Sequence, residues 1–277
     1  MGRISALIEL TSLASDDYLV VLDSSANIAK KITVANAFGI PDLGWTASGE
    51  SWTYSTWSST TRIGVITVPT DATVKYIAGM RVKITQSTGG VKYGIIHAVS
   101  ATTLTIFFPS GTTLNNEAIT SPSYSIADSP IGFDKDPSLW SLESNVTTDS
   151  TQATPTTGTW YNLGSQSLSV GIGKYYLYSK LSSGADRAAN GRTDYSTTIS
   201  TSSSSESSSK YTTGSANSNV TFTGATDTVR EPITLASAST LYALIKSNIA
   251  GASTLFFFGS GSTIGGSRII RVTSAYL

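Results

Sequence analysis

The chain has 277 residues, 39% of them hydrophobic, which is enough apolar material for one large or two modest cores and excludes a wholly disordered protein. Only 13% are charged, about half the ~25% usual for soluble globular chains, and serine, threonine and glycine fill the gap. Lysine plus arginine and aspartate plus glutamate both number 18, and no basic cluster occurs, so neither phosphate backbones nor anionic membranes are expected partners. Cysteine is absent, which removes disulfides, thiol catalysis and zinc–thiolate sites together.

The first segment, residues 1–44, carries the strand-like run Tyr18 to Leu22 between acidic residues, a polar turn, and a second strand-like run from Ala29 to Val34. Thr33 is placed to cap one helical turn that Gly39 and Pro41 would stop. A hairpin of this size needs something to dock on, either its own domain or, as an attachment peptide, a surface outside the chain. No long apolar stretch follows Met1-Gly2-Arg3, so a signal peptide is not expected.

Residues 45–133 read as a β-module. Strands are expected at Trp52 to Trp57, Arg62 to Val68, Ala72 to Tyr76, Met80 to Thr85, Val91 to Ser100 and Thr103 to Phe108. Short strands at intervals of about 8 to 12 residues argue for a small barrel or sandwich. Residues 134–157 read as a short helix opened by Asp136-Pro137, then a hydroxyl-rich linker.

Residues 158–277 again read as all β, with about eight strands in a jelly-roll-like sandwich. The stretches Ser183 to Arg192 and Ile199 to Asn219 are read as loops interrupting it. The expected fold is therefore all-β: an anchor hairpin, a barrel or sandwich module, and a terminal sandwich.

Two stretches resemble a known group. The order Leu-Thr-x-Leu-Ala-Ser-Asp-Asp, an apolar strand ending in Asp23, then Lys30-Lys31-Ile32-Thr33-Val34 resembles the opening segment of tailed-bacteriophage virion proteins of the fibre or appendage type. The strand Glu50 to Tyr54, the run Gly79 to Gln86, Lys92 to Ile96 and the closing Ile131-Gly132-Phe133 resemble a β-domain recurrent in phage structural proteins. The resemblance implies a virion location, with contact to other virion proteins through Leu10, Tyr18, Leu19, Val20, Val21, Leu22, Lys30, Lys31, Ile32, Val34 and Phe38. Here Phe133 runs into Asp134-Lys135-Asp136 rather than the proline and aromatic usual in that group, which points to a different distal part.

Three terminal strands are apolar on both faces, and an ordinary antiparallel sheet needs only one such face. Tyr176, Tyr178, Tyr242, Leu244, Phe256, Phe257 and Phe258 are accordingly read as a subunit interface, with a homotrimer expected; cover by the domain's own loops is the alternative. Asp186, Asn190, Arg192, Tyr195 and Tyr211 are candidate contacts for a host surface glycan, and the reading of those loops as inert spacers stays open. His97, the one histidine, lies on an apolar strand face and is read as packed rather than catalytic. No paired carboxylates, metal spacing or phosphate loop is evident, so no enzyme activity and no cofactor are expected. The expected function is a short trimeric fibre, with a capsid decoration protein as the alternative.

Overall fold

A computed structural model describes residues 44–262 and 266–277, and the backbone alone of 18–23, 28–33, 188–190 and 218–223. Among the described residues the chain is β throughout, with only single turns of 3-10 helix. The first two strands, β1 (Tyr18–Asp23) and β2 (Ile28–Thr33), form a two-stranded antiparallel sheet of their own, in register Tyr18↔Thr33 to Asp23↔Ile28. The capped helical turn expected beyond Thr33 lies outside the described residues.

The next unit is a seven-stranded antiparallel sheet built from β3 (Thr46–Ala47), β4 (Thr53–Ser58), β5 (Ile63–Thr67), β6 (Arg81–Gln86), β7 (Gly90–Val99), β8 (Thr103–Phe107) and β9 (Thr120–Ser125), in the order β3-β9-β6-β7-β8-β5-β4. Its strands alternate as short half-buried strands should: β5 places Gly64 and Ile66 inward. The expected strand at Ala72 to Tyr76 is instead a 3-10 turn, because the Asp71 carboxylate takes the Thr73 N–H at 3.0 Å and starts a turn. Both faces of β7 are covered, so its consecutive residues Ile95 and Ile96 are both buried, one in each of two cores. Ile96 joins Trp52, Ile66, Val82 and Leu104 inside this unit, while Ile95 and Phe107 belong to the core of the following one.

That following unit contains β10 (Ser141–Asn145), β11 (Ser150–Ala153), β12 (Ser167–Val170), β13 (Gly173–Ser200), β14 (Thr212–Leu235), β15 (Ser239–Ser247), β16 (Ala252–Phe257) and β17 (Arg268–Ser274). Its spine is β13, 28 residues long, paired along most of its length with the 24-residue β14. The ribbon is not straight. Register shifts fall between Asp186, Gly191 and Thr193, and there the ribbon folds over on itself, as strands that change layer do. The Tyr195 hydroxyl consequently reaches Ser183 O at 3.0 Å, and Thr197 Oγ1 reaches Asp227 at 3.3 Å. One layer of the sandwich runs β14-β13-β17-β10, with β16 and β11 beside it; the other runs β14-β13-β15-β12.

Several expectations change here. The loop read at Ser183 to Arg192 is strand, since β14 on one side and β16 on the other supply partners for its backbone. The linker read at residues 144–157 holds the end of β10 and all of β11, which pair with β17 and β16. Asp136-Pro137 opens a turn rather than a helix: Asp136 Oδ1 takes the Ser138 N–H at 2.9 Å and β10 follows directly.

The two larger sheets share one core. Trp45, Ile95, Phe107 and Phe133 pack with Trp140, Tyr175, Leu177 and Leu235. Arg62 spans the seam: Nη1 donates to Leu139 O at 2.6 Å, Nη2 donates to Ser141 O, and the guanidinium lies 4.8 Å from the Phe107 ring.

Candidate functional site

Pairing register, rather than sequence proximity, assembles the outer face of the layer β14-β13-β17-β10. On β13 the side chains of Tyr175, Leu177 and Leu181 point into the core, so Tyr176 and Tyr178 point away from it. Opposite Tyr176 stand Pro232 on β14 and Thr273 on β17, and Thr273 faces Ser141 on β10. One step along, Arg230, Tyr178, Arg271 and Glu143 form a second row across the same four strands.

The second row is electrostatically ordered. Arg230 and Arg271 flank the Tyr178 ring at 5.4 and 5.8 Å, an arrangement in which the negative ring face attracts both cations. Glu143 neutralises Arg271 through contacts of 2.6 Å from Nε and 2.5 Å from Nη2. Arg230 makes no ion pair among the described residues. Lys210 borders the first row, paired to Glu231 at 3.2 Å and donating to Pro232 O at 3.2 Å, while the Tyr211 hydroxyl donates to the same carbonyl at 3.3 Å.

Between these rows lies an open groove of about 630 Å³ over Tyr176, Tyr178, Arg230, Pro232, Arg271 and Thr273. A second hollow of about 360 Å³ continues past Arg271 and Thr273 to Ser138 and Glu143. Tyr176 is 59% exposed in the middle of the face.

The expected interface residues divide. Tyr176 is exposed, and Tyr178, Tyr242 and Phe256 are half-buried. Leu244 and Phe257 are fully buried inside this one chain and Phe258 nearly so, which removes them from any subunit interface. Both faces of these strands are covered within the chain, Leu241, Ala243, Ile245, Leu255 and Phe257 in the shared core and Leu244 and Phe258 also buried.

The expected glycan contacts do not converge. Tyr195 is buried, its hydroxyl spent on Ser183 O, with burial pushing its pKa up. Asp186 and Arg192 lie at the ribbon's fold, where Arg192 pairs with Asp194 at 2.7 Å. Asn190 is on β13 with its side chain outside the described set. Tyr211 is on the opposite end of the ribbon, beside Pro232. Of the attachment residues, Tyr18, Leu19, Val20, Val21, Leu22, Lys30, Lys31 and Ile32 lie on the hairpin, and Leu10, Val34 and Phe38 lie outside the described residues.

His97 sits within the seam between the sheets, 3% exposed. Its Nδ1 donates to Ile172 O at 3.3 Å, which leaves Nε2 to accept from Ser274 Oγ at 3.0 Å. Both residues are buried, so this serine–histidine contact has no open approach. Among the described residues no group of three metal-ligating side chains occurs.

No family model matches the chain and no curated protein does. Similar solved structures include a Gt-strain infectious bursal disease virus structure, at 11% identity and a TM-score of 0.27, covering 92% of this chain and 66% of that one. The insecticidal δ-endotoxin Cry8Ea1 of Bacillus thuringiensis is similar at 8% identity and a TM-score of 0.24, and this chain, of which 81% is covered, spans 52% of that protein's length. Likeness at these scores carries no inference about fold or activity.

Proposed function

We propose that this chain is a structural protein of a tailed-phage particle, carried as a short homotrimeric fibre or appendage and held to the particle by its N-terminal hairpin. The observation that supports this reading is that β1 and β2 form a two-stranded sheet of their own, bonded only to each other among the described residues. A two-stranded hairpin is marginal in water, so it needs a surface to dock on. The resemblance of this segment to virion attachment segments names the surface. The body fits a projecting part, with hydroxyl-rich strands and few charges.

The test is to assemble particles with a chain lacking residues 1–43. The truncated body is expected to fold and to be absent from purified particles; its incorporation at normal copy number overturns the attachment role. Light scattering on the full chain is expected to give three times the 29.0 kDa monomer mass, and a stable monomer at micromolar concentration overturns the trimer. Gel densitometry of particles separates a fibre, present in few copies, from a capsid decoration protein, present in many.

A further inference from the structure

We infer that the groove over Tyr176 and Tyr178 binds a carboxylated sugar ring of an acidic oligosaccharide. The inference stands on the groove and is independent of the virion reading above.

Three features select the ligand. The exposed Tyr176 ring, with Tyr178, Pro232 and Ile269 also lining the groove, offers an apolar platform edged by charged and hydroxyl groups. A pyranose has an apolar C–H face of matching size and a hydroxylated rim, so it covers the ring while keeping its hydroxyls hydrogen-bonded. The Glu143–Arg271 pair supplies a planar acceptor beside a planar donor at the edge of that platform, with the Thr273 hydroxyl next to it. Adjacent sugar hydroxyls each donate and accept, which suits such a mixed pair.

The third feature is charge. Of the charged residues lining the groove, Arg271 is paired with Glu143 and Glu231 with Lys210, whereas Arg230 makes no ion pair among the described residues. Its guanidinium is held in place by the Tyr178 ring, which orients it without neutralising it. The groove therefore presents one uncompensated, pre-oriented fork, and a planar carboxylate is its natural complement. At about 630 Å³ with an extension of about 360 Å³, the space suits a short oligosaccharide.

The test uses the full chain and oligomers of galacturonic acid, with the corresponding galactose oligomers as neutral controls, read by titration calorimetry. Binding of the acidic oligomer is expected, weakening by at least about tenfold in Tyr176→Ala. Arg230→Gln is expected to reduce affinity for the acidic oligomer and leave the weaker affinity for the neutral one unchanged, and added salt should reproduce its effect. Tyr176 and Arg230 are both exposed, so unchanged thermal melting certifies that the variants fold. Absence of binding to any acidic oligomer, or binding indifferent to both substitutions, overturns the inference. So does a fall in molecular mass in Tyr176→Ala, which would assign the face to a neighbouring copy of the chain.

Discussion

His97 Nε2 and Ser274 Oγ, 177 residues apart in sequence, meet at 3.0 Å and join the seven-stranded sheet to the last strand of the sandwich. Phe107, Tyr175 and Tyr276 surround the imidazole with ring centroids at 5.0, 5.1 and 5.3 Å. Burial in this aromatic box lowers the imidazole pKa to about 4, against a smaller raising effect from the Ile172 carbonyl.

The sign of the pH dependence follows. Between pH 6.5 and about 4 the unfolded chain binds a proton at His97 and the folded chain does not, so stability falls as pH drops through that window. From pH 7 to pH 5 the loss is about 2 kcal/mol, from ~1.4 kcal/mol per pH unit below the unfolded pKa. Denaturant unfolding at the two pH values measures it. In His97→Gln most of that slope should disappear, whatever the absolute stability of the variant, since the chain has a single histidine and carboxylates are mostly ionised over this interval.

A single glycine is what lets the histidine in. Gly173 has φ of +143°, and a β-carbon on it would lie 2.2 Å from His97 Nδ1. Gly173→Ala should therefore cost about 2–4 kcal/mol, combining backbone strain with displacement of a packed ring. Gly90, at φ of +64° with nothing within 4 Å of the added carbon, gives the backbone cost of an ordinary left-handed position: Gly90→Ala should cost only about 1 kcal/mol. Equal losses at both positions would remove the steric part of the account.

The strands that could be read from sequence are those whose alternation is clean and whose ends are marked. Residues 268–274 are the example: Ile270 and Val272 point inward, Arg271 outward, and the strand ends at Ser274. The middle of β13 gave no such signal. Gly184-Ala-Asp-Arg-Ala-Ala-Asn-Gly has the composition of a loop, yet it is extended because β14 and β16 bond its backbone from either side. Ser150 to Ala153 is strand for the same reason. The outward direction of Tyr176 and Tyr178 was legible from alternation with Tyr175 and Leu177. The partners that make a site of them, Arg230, Arg271 and Glu143, depend on strand register across long sequence gaps, and local pattern does not encode that.

Arg62 is the second clasp across the seam, and among the described residues its side chain's acceptors are main-chain carbonyls. Burial lowers its pKa, so the charge is carried at a cost that the bonds to Leu139 O and Ser141 O offset. Arg62→Met keeps most of the apolar stem and deletes both bonds together with the guanidinium's contact with the Phe107 ring. The expected loss is about 2–4 kcal/mol, and hydrogen exchange should show faster opening around β10 and β5 than at the far side of the seven-stranded sheet. Uniform acceleration over both sheets would show instead that the two units unfold as one.

Arg268 poses the same problem more severely, being wholly buried with no carboxylate in contact among the described residues. Burial pulls its pKa down to about 10, which still leaves it charged at neutral pH. Oxygen dipoles take the place of a counter-ion: Nε donates to Gln166 Oε1 at 2.9 Å, Nη1 to Ser150 Oγ at 2.9 Å and Nη2 to Leu163 O, with the Phe257 ring 4.8 Å from the guanidinium carbon. Those acceptors lie on the segment between β10 and β12, so the guanidinium fastens that segment to β17. A lysine has one nitrogen and cannot reach three divergent acceptors. Arg268→Lys and Arg268→Met should therefore destabilise by similar amounts, about 3 kcal/mol each. If lysine restored most of the wild-type stability in urea unfolding, charge alone would be sufficient and the fork geometry irrelevant.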